Sequence, residues 1–296
     1  MATATAEAAG PVVIPESRTA KIVAIVGKTP VYVTIAVLGL LWLVPTFGLL
    51  LTSLIIPARV QSAGWWEALT EPSLLTIENY RQVLENEAIT SAIWTTLWIS
   101  IGATILPIIV AALAGYAFAW LEFPGRDWLF LGVVAMLVVP IQMALIPIFS
   151  LYNDLGIFDT ILGLVLFHTA FGLPFAIFLL RSFFIGIPKD LIEAARIDGA
   201  SEIRIFARVI LPLGLPAVAS LAIFQFLWVW NDLLVALTFG RETQPITVAI
   251  FSQLRQFGAN IELIAPAAFL SLAIPLVVFF AFQRYFVQGL LAGSVK

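Results

Sequence analysis

Residues that could do chemistry are sparse in this chain. Cysteine is absent and His168 is the single histidine, so neither a thiolate metal site nor a cysteine nucleophile can be built. Gly27, Lys28 and Thr29 match the end of a phosphate-binding loop, but the first glycine of that motif would fall at Ile22. We therefore expect no nucleotide site, no catalytic residue and no metal ligand, and we do not expect an enzyme.

A late apolar stretch holds the carboxylate of Asp232 beside Trp228, Trp230 and Asn231. A carboxylate inside a membrane costs roughly 2.5 to 3.5 kcal/mol on insertion scales, so it tends to face a cavity or a partner group. Indole rings and a carboxylate are also what a sugar site uses, which makes Trp228, Asn231 and Asp232 candidate substrate-pathway residues. The alternative places Asp232 at the outer interface, where tryptophans form an aromatic belt. His168, alone among apolar residues, is more typical of an interhelical hydrogen bond than of a ligand.

The most informative segment, residues 181–213, separates two apolar stretches. Pro188 suits the first turn of a helix, Gly199 can adopt the left-handed conformation that ends one, and Ser201 can cap a second helix. Two apolar stripes are expected, one from Leu191, Ile192 and Ala195 and the other from Ile203, Phe206 and Ile210. The pattern predicts a helix, a tight turn and another helix at a membrane face. It fits either a connector lying on lipid headgroups or a docking element for another protein.

Membrane helices must position these residues. Hydrophobic residues make up 61% of the 296 residues and charged residues 11%, with a mean hydropathy of +1.04, which is outside the usual range of soluble proteins. The net charge of −3 gives no support to nucleic-acid binding. Six apolar stretches each reach the roughly 20 residues needed to cross a bilayer. They are Val31–Ile56, Ile89–Leu121, Trp128–Leu151, Ile161–Leu180, Leu213–Phe239 and Ile264–Phe282. Prolines inside several of them, Pro140 and Pro174 included, predict kinks.

The positions of lysine and arginine predict orientation, because these residues are retained on the cytoplasmic side. With both termini inside, the inner segments hold eleven of the fifteen cations. The outer loops then hold Arg59, Arg81, Arg241 and Arg255. We therefore expect an all-α polytopic membrane protein with six transmembrane helices, cytoplasmic termini and a cytoplasmic helix pair. Residues 1–29 are assigned to a cytoplasmic tail, disordered over 1–17, and residues 30–296 to one transmembrane domain.

The segment from Glu193 to Pro212 resembles the EAA loop of ATP-binding-cassette (ABC) importer permeases. The residues that match at the family spacing are Glu193, Ala194, Ala195, Gly199, Leu211 and Pro212. Val209 departs from the pattern, since the family usually has isoleucine there. Other stretches look like carbohydrate-importer permeases of the maltose type. They are NYRQVL (79–84), AGYAFAWLEFPGR (114–126), VPIQMALIP (139–147), LPFAIFLLRSFF (173–184) and FQRYFVQGLLAG (282–293).

The resemblance covers most of residues 31–296 and is to the shorter, six-helix partner of a permease heterodimer. The SAGWW segment at 62–66 is similar to permeases for α-glucosides and related disaccharides. The resemblance implies a bacterial or archaeal cytoplasmic (inner) membrane and transport of a di- or oligosaccharide such as an α-glucoside. It also implies a second permease, two ATPase subunits and an extracytoplasmic solute-binding protein as partners, within membrane lipid. ATP and magnesium would be bound by the ATPase subunits, and this chain would need no cofactor of its own.

The ATPase-docking residues that the resemblance implies lie within a coupling loop at 183–212. They are Glu193, Ala194, Ala195, Asp198, Gly199, Ala200, Leu211 and Pro212. The main alternative is an ion-gradient-driven carrier or channel that uses Asp232 as its coupling carboxylate. No internal repeat relates the two triplets of helices, as it does in many secondary transporters. Both hypotheses explain six membrane helices, but only the importer explains the coupling loop.

Overall fold

The computed structural model describes residues 18–257 and 260–294, so the tail expected at 1–17 lies outside the described residues. Its α-helices are α1 (Arg18–Leu54), α2 (Glu78–Glu85), α3 (Glu87–Trp120), α4 (Arg126–Ala135), α5 (Ile141–Asp154), α6 (Ile161–Ile185), α7 (Lys189–Ile197), α8 (Glu202–Ile205), α9 (Leu211–Trp230), α10 (Leu234–Phe239), α11 (Ile246–Phe257) and α12 (Ile261–Ser294). A 3-10 turn follows α4 and a π-helical turn, Phe206–Ile210, joins α8 to α9. The described residues form no extended strand, and the all-α prediction is confirmed.

Five segments of the described chain are long and apolar enough to cross a membrane. They are Lys28–Leu54, Glu87–Trp120, Ile161–Ile185, Glu202–Trp230 and Ile261–Arg284. A sixth is bent by 99° between Arg126–Val138 and Ile141–Asp154. The bend lies at Pro140, whose ring removes a backbone donor and forces Val139 into an extended conformation. The expected stretch at 128–151 is therefore two helices with a sharp bend, the geometry of a broken span or of a re-entrant segment, and the predicted kink at Pro140 is confirmed.

Residues through Leu49 and residues from Leu50 onward form two compact units. In the first unit, α1 begins at Arg18, so residues 18–29, which the charge pattern assigns to a tail, are helical. In the second unit, the segment after α1 is fixed by the buried side chain of Asn79. Its amide donates to the carbonyls of Ser53 at 3.0 Å and Ile55 at 2.6 Å.

The centre of the second unit is built by α3 and α6, which run in parallel. A Cβ placed on Gly102 would lie 3.0 Å from the side chain of Val165, and one on Gly115 would lie 3.1 Å from the backbone nitrogen of Arg181. Glycine at both points lets the two helix backbones approach closely, as is typical between membrane helices. Because the contacts advance in the same direction along both helices, α3 and α6 end at the same end of the bundle.

The third helix of this centre, α9, is joined to the other two by Gln225. The side-chain amide of Gln225 is buried and donates to the carbonyls of Ala103 at 3.0 Å and His168 at 3.3 Å. Gly172 on α6 leaves room for it, because a Cβ at that position would lie 2.5 Å from the amide nitrogen. One polar side chain therefore connects α3, α6 and α9 between otherwise apolar surfaces.

Candidate coupling site and pathway residues

The predicted tight turn lies between α7 and α8, at the end of the bundle where α3 and α6 finish. Gly199 has a φ of +75°, and its N–H donates to the carbonyl of Arg196 at 3.0 Å. The N–H of Ala200 donates to the carbonyl of Ala195, also at 3.0 Å. These two bonds form a Schellman motif, in which the left-handed residue ends the helix and satisfies its last carbonyls. The left-handed conformation predicted for Gly199 is confirmed.

The second half of the pair differs from the expected stripe. Ile205 and Ile210 are fully buried, whereas Ile203 is 81% exposed, so the prediction that Ile203 shares the inward face with Ile210 is wrong. The π-helical turn at Phe206–Ile210 inserts an extra residue, and it brings two residues five positions apart onto one face. Ser201 precedes α8 as predicted, but its side chain makes no capping hydrogen bond.

The first half of the pair separates inward from outward residues clearly. Ile192 is fully buried, and Ala195 and Ala200 pack against the same core. Ile197 points away from that core and is 86% exposed. Leu191 is also exposed, so the prediction that it shares a stripe with Ile192 and Ala195 is wrong. Ile203 is exposed as well, and we call these three uncovered apolar side chains the outer surface of the helix pair. Several large exposed apolar side chains on one short segment are typical of protein or membrane contacts.

Glu193 lies on α7 with its side chain exposed to solvent. Its carboxylate is 2.7 Å from the ammonium group of Lys189, one helical turn away. The hydrogen bond from Lys189 and the charge of that group hold the pKa of the Glu193 carboxyl below its ordinary value. Glu193 is therefore ionised at neutral pH, and an exposed pair of this kind adds little to stability.

An ion pair that the sequence did not reveal spans the Gly199 turn. The Arg196 guanidinium donates to both carboxylate oxygens of Glu202, at 2.9 and 3.3 Å, and this pairing raises the pKa of Arg196. The hydroxyl of Tyr116 on α3 is also hydrogen-bonded to Glu202, and Arg196 reaches the carbonyl of Trp120 at 3.3 Å. We call Arg196, Glu202 and Tyr116 the latch. Opposite charges on either side of the predicted turn were the available signal for Arg196 and Glu202, but nothing in the sequence pointed to Tyr116.

Further contacts fix the ends of the neighbouring helices around the latch. The indole nitrogen of Trp120 donates to the carbonyl of Phe184 at 3.0 Å. Arg181 donates to the carbonyl of Phe118 at 3.3 Å, and its guanidinium lies 3.9 Å from the centre of the Phe130 ring. The contacts thus join α3, α4 and α6 to one another beside the latch, and the latch joins the helix pair to α3.

Asp232 lies just beyond α9 and serves as a helix cap. Its carboxylate accepts from the backbone nitrogens of Ala236 at 2.9 Å and Val235 at 3.3 Å, at the beginning of α10. One of its oxygens is 3.7 Å from Nε2 of the buried His168. The structure therefore brings together two polar residues that the sequence placed far apart. Asn231 is exposed, and its amide donates to the carbonyl of Leu227 at 2.8 Å.

Trp228 lines a cleft of about 280 Å³ between α6 and α9. The other lining residues are Phe171, Gly172, Phe175, Phe224 and Gln225. Asn231 and Asp232 are not among them, so of the three candidate pathway residues the structure places Trp228 alone on this cleft. The indole of Trp228 meets the ring of His168 edge-on, with ring centres 5.2 Å apart.

The structure also places the short sequence that resembles a phosphate-binding loop. Gly27, Lys28 and Thr29 lie inside α1, whereas a phosphate-binding loop has to precede its helix. Within the part of the chain that the structure describes, no group of three or more metal-ligating side chains could hold a metal ion.

These features define a class: a polytopic α-helical membrane protein that carries a rigid helix–turn–helix at one end of its bundle. The family model for the binding-protein-dependent transport system inner membrane component matches residues 108–291. The chain therefore belongs to that family, the inner-membrane permease subunits of ABC importers, and the predicted resemblance of the chain to these permeases is confirmed.

Several relatives cover most of the chain. The osmoprotective compounds uptake permease protein GgtD of Synechocystis sp. is 46% identical over 91% of this chain and 92% of its own length. The alpha-glucoside transport system permease protein AglG of Rhizobium meliloti is 48% identical over 77% of this chain and 62% of its own length. The trehalose transport system permease protein SugB of Mycobacterium tuberculosis is 38% identical over 76% of this chain and 84% of its own length.

The fold is similar to that of a chain from a crystal structure of a bacterial ABC transporter that imports the acidic polysaccharide alginate. The TM-score is 0.73, with 21% identity, and the match covers 92% of this chain and 99% of the other. This likeness supports the arrangement of helices described above.

Proposed function

We propose that this chain is one of two permease subunits of an ABC importer for a di- or oligosaccharide such as an α-glucoside. The family supplies the transport role. The proposal that the substrate is a sugar is supported by the names of AglG and SugB, which specify alpha-glucoside and trehalose transport. The name of GgtD specifies osmoprotective compounds instead, so a non-sugar osmolyte belongs in any test of substrate.

We also propose that the helix pair is cytoplasmic and docks on a separate ATPase subunit. The observation that carries this proposal is the outer surface: Ile197 and Ile203 are 86% and 81% exposed on a turn that several hydrogen bonds make rigid. A cleft in a partner protein would cover these side chains and give the ionised Glu193 a basic group to pair with.

The eight docking residues divide into three roles in this proposal. Glu193, Ala194 and Asp198 are exposed and would contact the ATPase directly. Ala195 and Ala200 pack inward on the core, and Gly199 sets the turn, so these three would hold the contact surface in shape. Leu211 and Pro212 begin α9 and would pass the displacement to that helix.

The proposed transport mechanism depends on the rigidity of the helix pair. When ATP closes a pair of ATPase subunits, a helix pair seated on them is displaced as a rigid body, and α3, α6 and α9 move with it. ATP and magnesium would be held by the ATPase subunits, and a solute-binding protein would deliver the substrate on the opposite face. ATP drives the cycle only to the extent that it binds the two states with different affinity.

The carrier hypothesis gains no support from the position of Asp232. Its oxygens already accept two backbone N–H groups at the start of α10, which accounts for a carboxylate at this depth without a coupling ion. The importer hypothesis in addition accounts for the outer surface of the helix pair.

Reconstitution tests the proposal directly. Proteoliposomes would contain this chain with its co-purifying permease and ATPase subunits, and the solute-binding protein would be added outside. We expect uptake of an α-glucoside or trehalose only when ATP is enclosed. Uptake driven by a proton or sodium gradient without ATP would contradict the proposal of an ATP-driven importer. ATP-dependent uptake of a zwitterionic osmolyte alone would contradict the proposal that the substrate is a sugar.

A further inference from the structure

The cleft between α6 and α9 combines several aromatic rings with one polar side chain. Phe171 and Phe175 line it from α6, and Phe224, Gln225 and Trp228 line it from α9. Among the described residues, none of those that line it carries a charge. Ligand sites are often lined in this way, by apolar and aromatic groups with a few fixed polar atoms. The lining favours an uncharged ligand that has both a hydrophobic face and a hydroxyl group.

The polar group of this cleft is fixed in one orientation. Gln225 is only 4% exposed, and its amide nitrogen donates to the carbonyls of Ala103 and His168. A primary amide has two N–H groups and one carbonyl oxygen, so those two bonds use both of its donors. The carbonyl oxygen is the part of the side chain that remains to accept a hydrogen bond from a ligand hydroxyl.

The main aromatic wall is also held in place. Trp228 meets the edge of the His168 ring, and Nε2 of His168 lies 3.7 Å from Asp232, which is itself fixed by the backbone of α10. Trp228 nevertheless keeps 40% of its surface exposed. A side chain that is supported from behind and open in front provides a rigid surface on which a ring can stack.

We propose that this cleft is a sugar-contact subsite that this subunit itself contributes to the translocation pathway. One sugar ring would stack on Trp228 and the neighbouring phenylalanines while a hydroxyl donates to Oε1 of Gln225. The volume of about 280 Å³ suits a single ring, so an oligosaccharide would pass ring by ring. The inference rests on the proposed function, and it adds that the partner permease does not hold the sugar alone.

The absence of cysteine from the chain allows a direct test by labelling. In Phe175→Cys the thiol would line the cleft, and in Phe178→Cys it would lie one helical turn away on the same helix. Both phenylalanines are 41% exposed, which makes the second variant a matched control. The complete complex would be trapped with ATP and vanadate and treated with a methanethiosulfonate reagent, with and without trehalose or an α-glucoside.

We expect sugar to slow labelling at position 175 several-fold and to leave labelling at position 178 unchanged. Equal rates at 175 with and without sugar would overturn the proposal. Slowing at both positions would also overturn it, because a change of conformation would then explain the protection. Resistance at 175 under all conditions would mean that lipid or the partner permease fills the cleft.

Transport by tryptophan variants provides a second, independent measurement. Trp228→Leu should lower the maximal rate of sugar uptake about tenfold, which corresponds to roughly 1.4 kcal/mol, while Trp228→Phe should retain most of it. Trp98→Leu is the control, since Trp98 is exposed on α3 and does not line the cleft. Trp98→Leu should leave assembly, basal ATP hydrolysis and uptake unchanged, and the two Trp228 variants should still assemble with the ATPase subunits.

The two proposals fail in different ways. If the wild-type complex takes up no sugar with ATP, the proposed function is wrong. If the wild-type complex takes up sugar and the Trp228→Leu complex does so at the same maximal rate, the proposed importer function is supported and the subsite proposal is wrong.

Discussion

Replacement of Gly199 by valine tests whether the turn couples ATP hydrolysis in the ATPase subunits to uptake through this permease. The φ of Gly199 is +75°, and a Cβ built there meets nothing within 4 Å. The cost of a side chain is therefore set by the backbone and not by a clash. A left-handed conformation costs a non-glycine residue about 1 to 2 kcal/mol, which lowers the population of the turn about 5- to 30-fold relative to alternative conformations.

A series at this position separates the conformational effect from other effects. Asparagine tolerates the left-handed region better than alanine, and β-branched valine tolerates it least. We expect uptake per ATP hydrolysed to fall in the order glycine, asparagine, alanine, valine. The assay is uptake of labelled sugar and release of phosphate in the same proteoliposomes, with ATPase co-purification measured for each variant.

Gly156→Val provides the matched control for this series. Gly156 has a φ of +66° and open space around a built Cβ, but it lies before α6, at the opposite end of that helix from the turn. The same backbone penalty at Gly156 should leave the ratio of uptake to hydrolysis unchanged. Full coupling in an assembled Gly199→Val complex would refute the reasoning, as would equal loss in Gly156→Val.

The remaining predictions concern charge, capping and packing. Glu193→Lys should detach the ATPase or uncouple uptake while the permease stays in the membrane, because repulsion replaces attraction; normal co-purification and uptake would instead favour a surface lying on lipid. Lys189 holds the pKa of Glu193 below its ordinary value, so the docking charge is lost only as pH falls through that lowered pKa. A change from pH 7 to pH 5 should therefore leave ATPase co-purification unchanged, and a loss over this interval would contradict the assignment. Asp232→Asn should keep ATPase docking and change stability by less than about 1 kcal/mol, because asparagine also caps helices; a complex that fails to assemble would contradict this. Gly172→Ala should lower the melting temperature of the purified subunit, because the added Cβ would lie 2.5 Å from the amide nitrogen of Gln225. Gly132→Ala is the control: its Cβ would meet nothing within 4 Å, so this variant should be neutral or slightly stabilising. Equal melting temperatures of the two variants would refute the close packing of Gly172 on Gln225.

Much of the fold and part of the site could be predicted because they depend on local sequence. The lengths of the apolar stretches predict the membrane spans, Pro140 predicts the break in one of them, and Gly199 predicts the turn. Each of these predictions uses residues that are close together in the chain. Two other features depend on distant residues. Tyr116 and Glu202 are 86 positions apart, and Gln225 is 122 positions from Ala103. No periodicity within a single segment could reveal contacts of that range.

The misassigned stripe on the second helix has a different cause. The prediction assumed a regular α-helix, in which Ile203 and Ile210 share a face. The π-helical turn at Phe206–Ile210 changes the period and places Ile205 inward instead. The same local irregularity turns Ile203 outward, where it becomes part of the outer surface. A feature that the sequence pattern could not show therefore adds Ile203 to the surface on which the docking proposal depends.

The positions of the latch and of Gln225 indicate how movement at the turn would reach the cleft. Arg196 and Glu202 join the two halves of the helix pair, and Tyr116 joins them to α3, so a push on the outer surface cannot move the pair independently of that helix. Further along the same helix, the carbonyl of Ala103 holds Gln225, whose side chain lines the cleft. Because α3 and α6 meet at glycine positions, a shift of one requires a shift of the other. The turn and the cleft, the two ends of the proposed coupling mechanism, are thus connected through α3 by hydrogen bonds and close packing. Gln225 is the residue through which this connection would reach the proposed sugar.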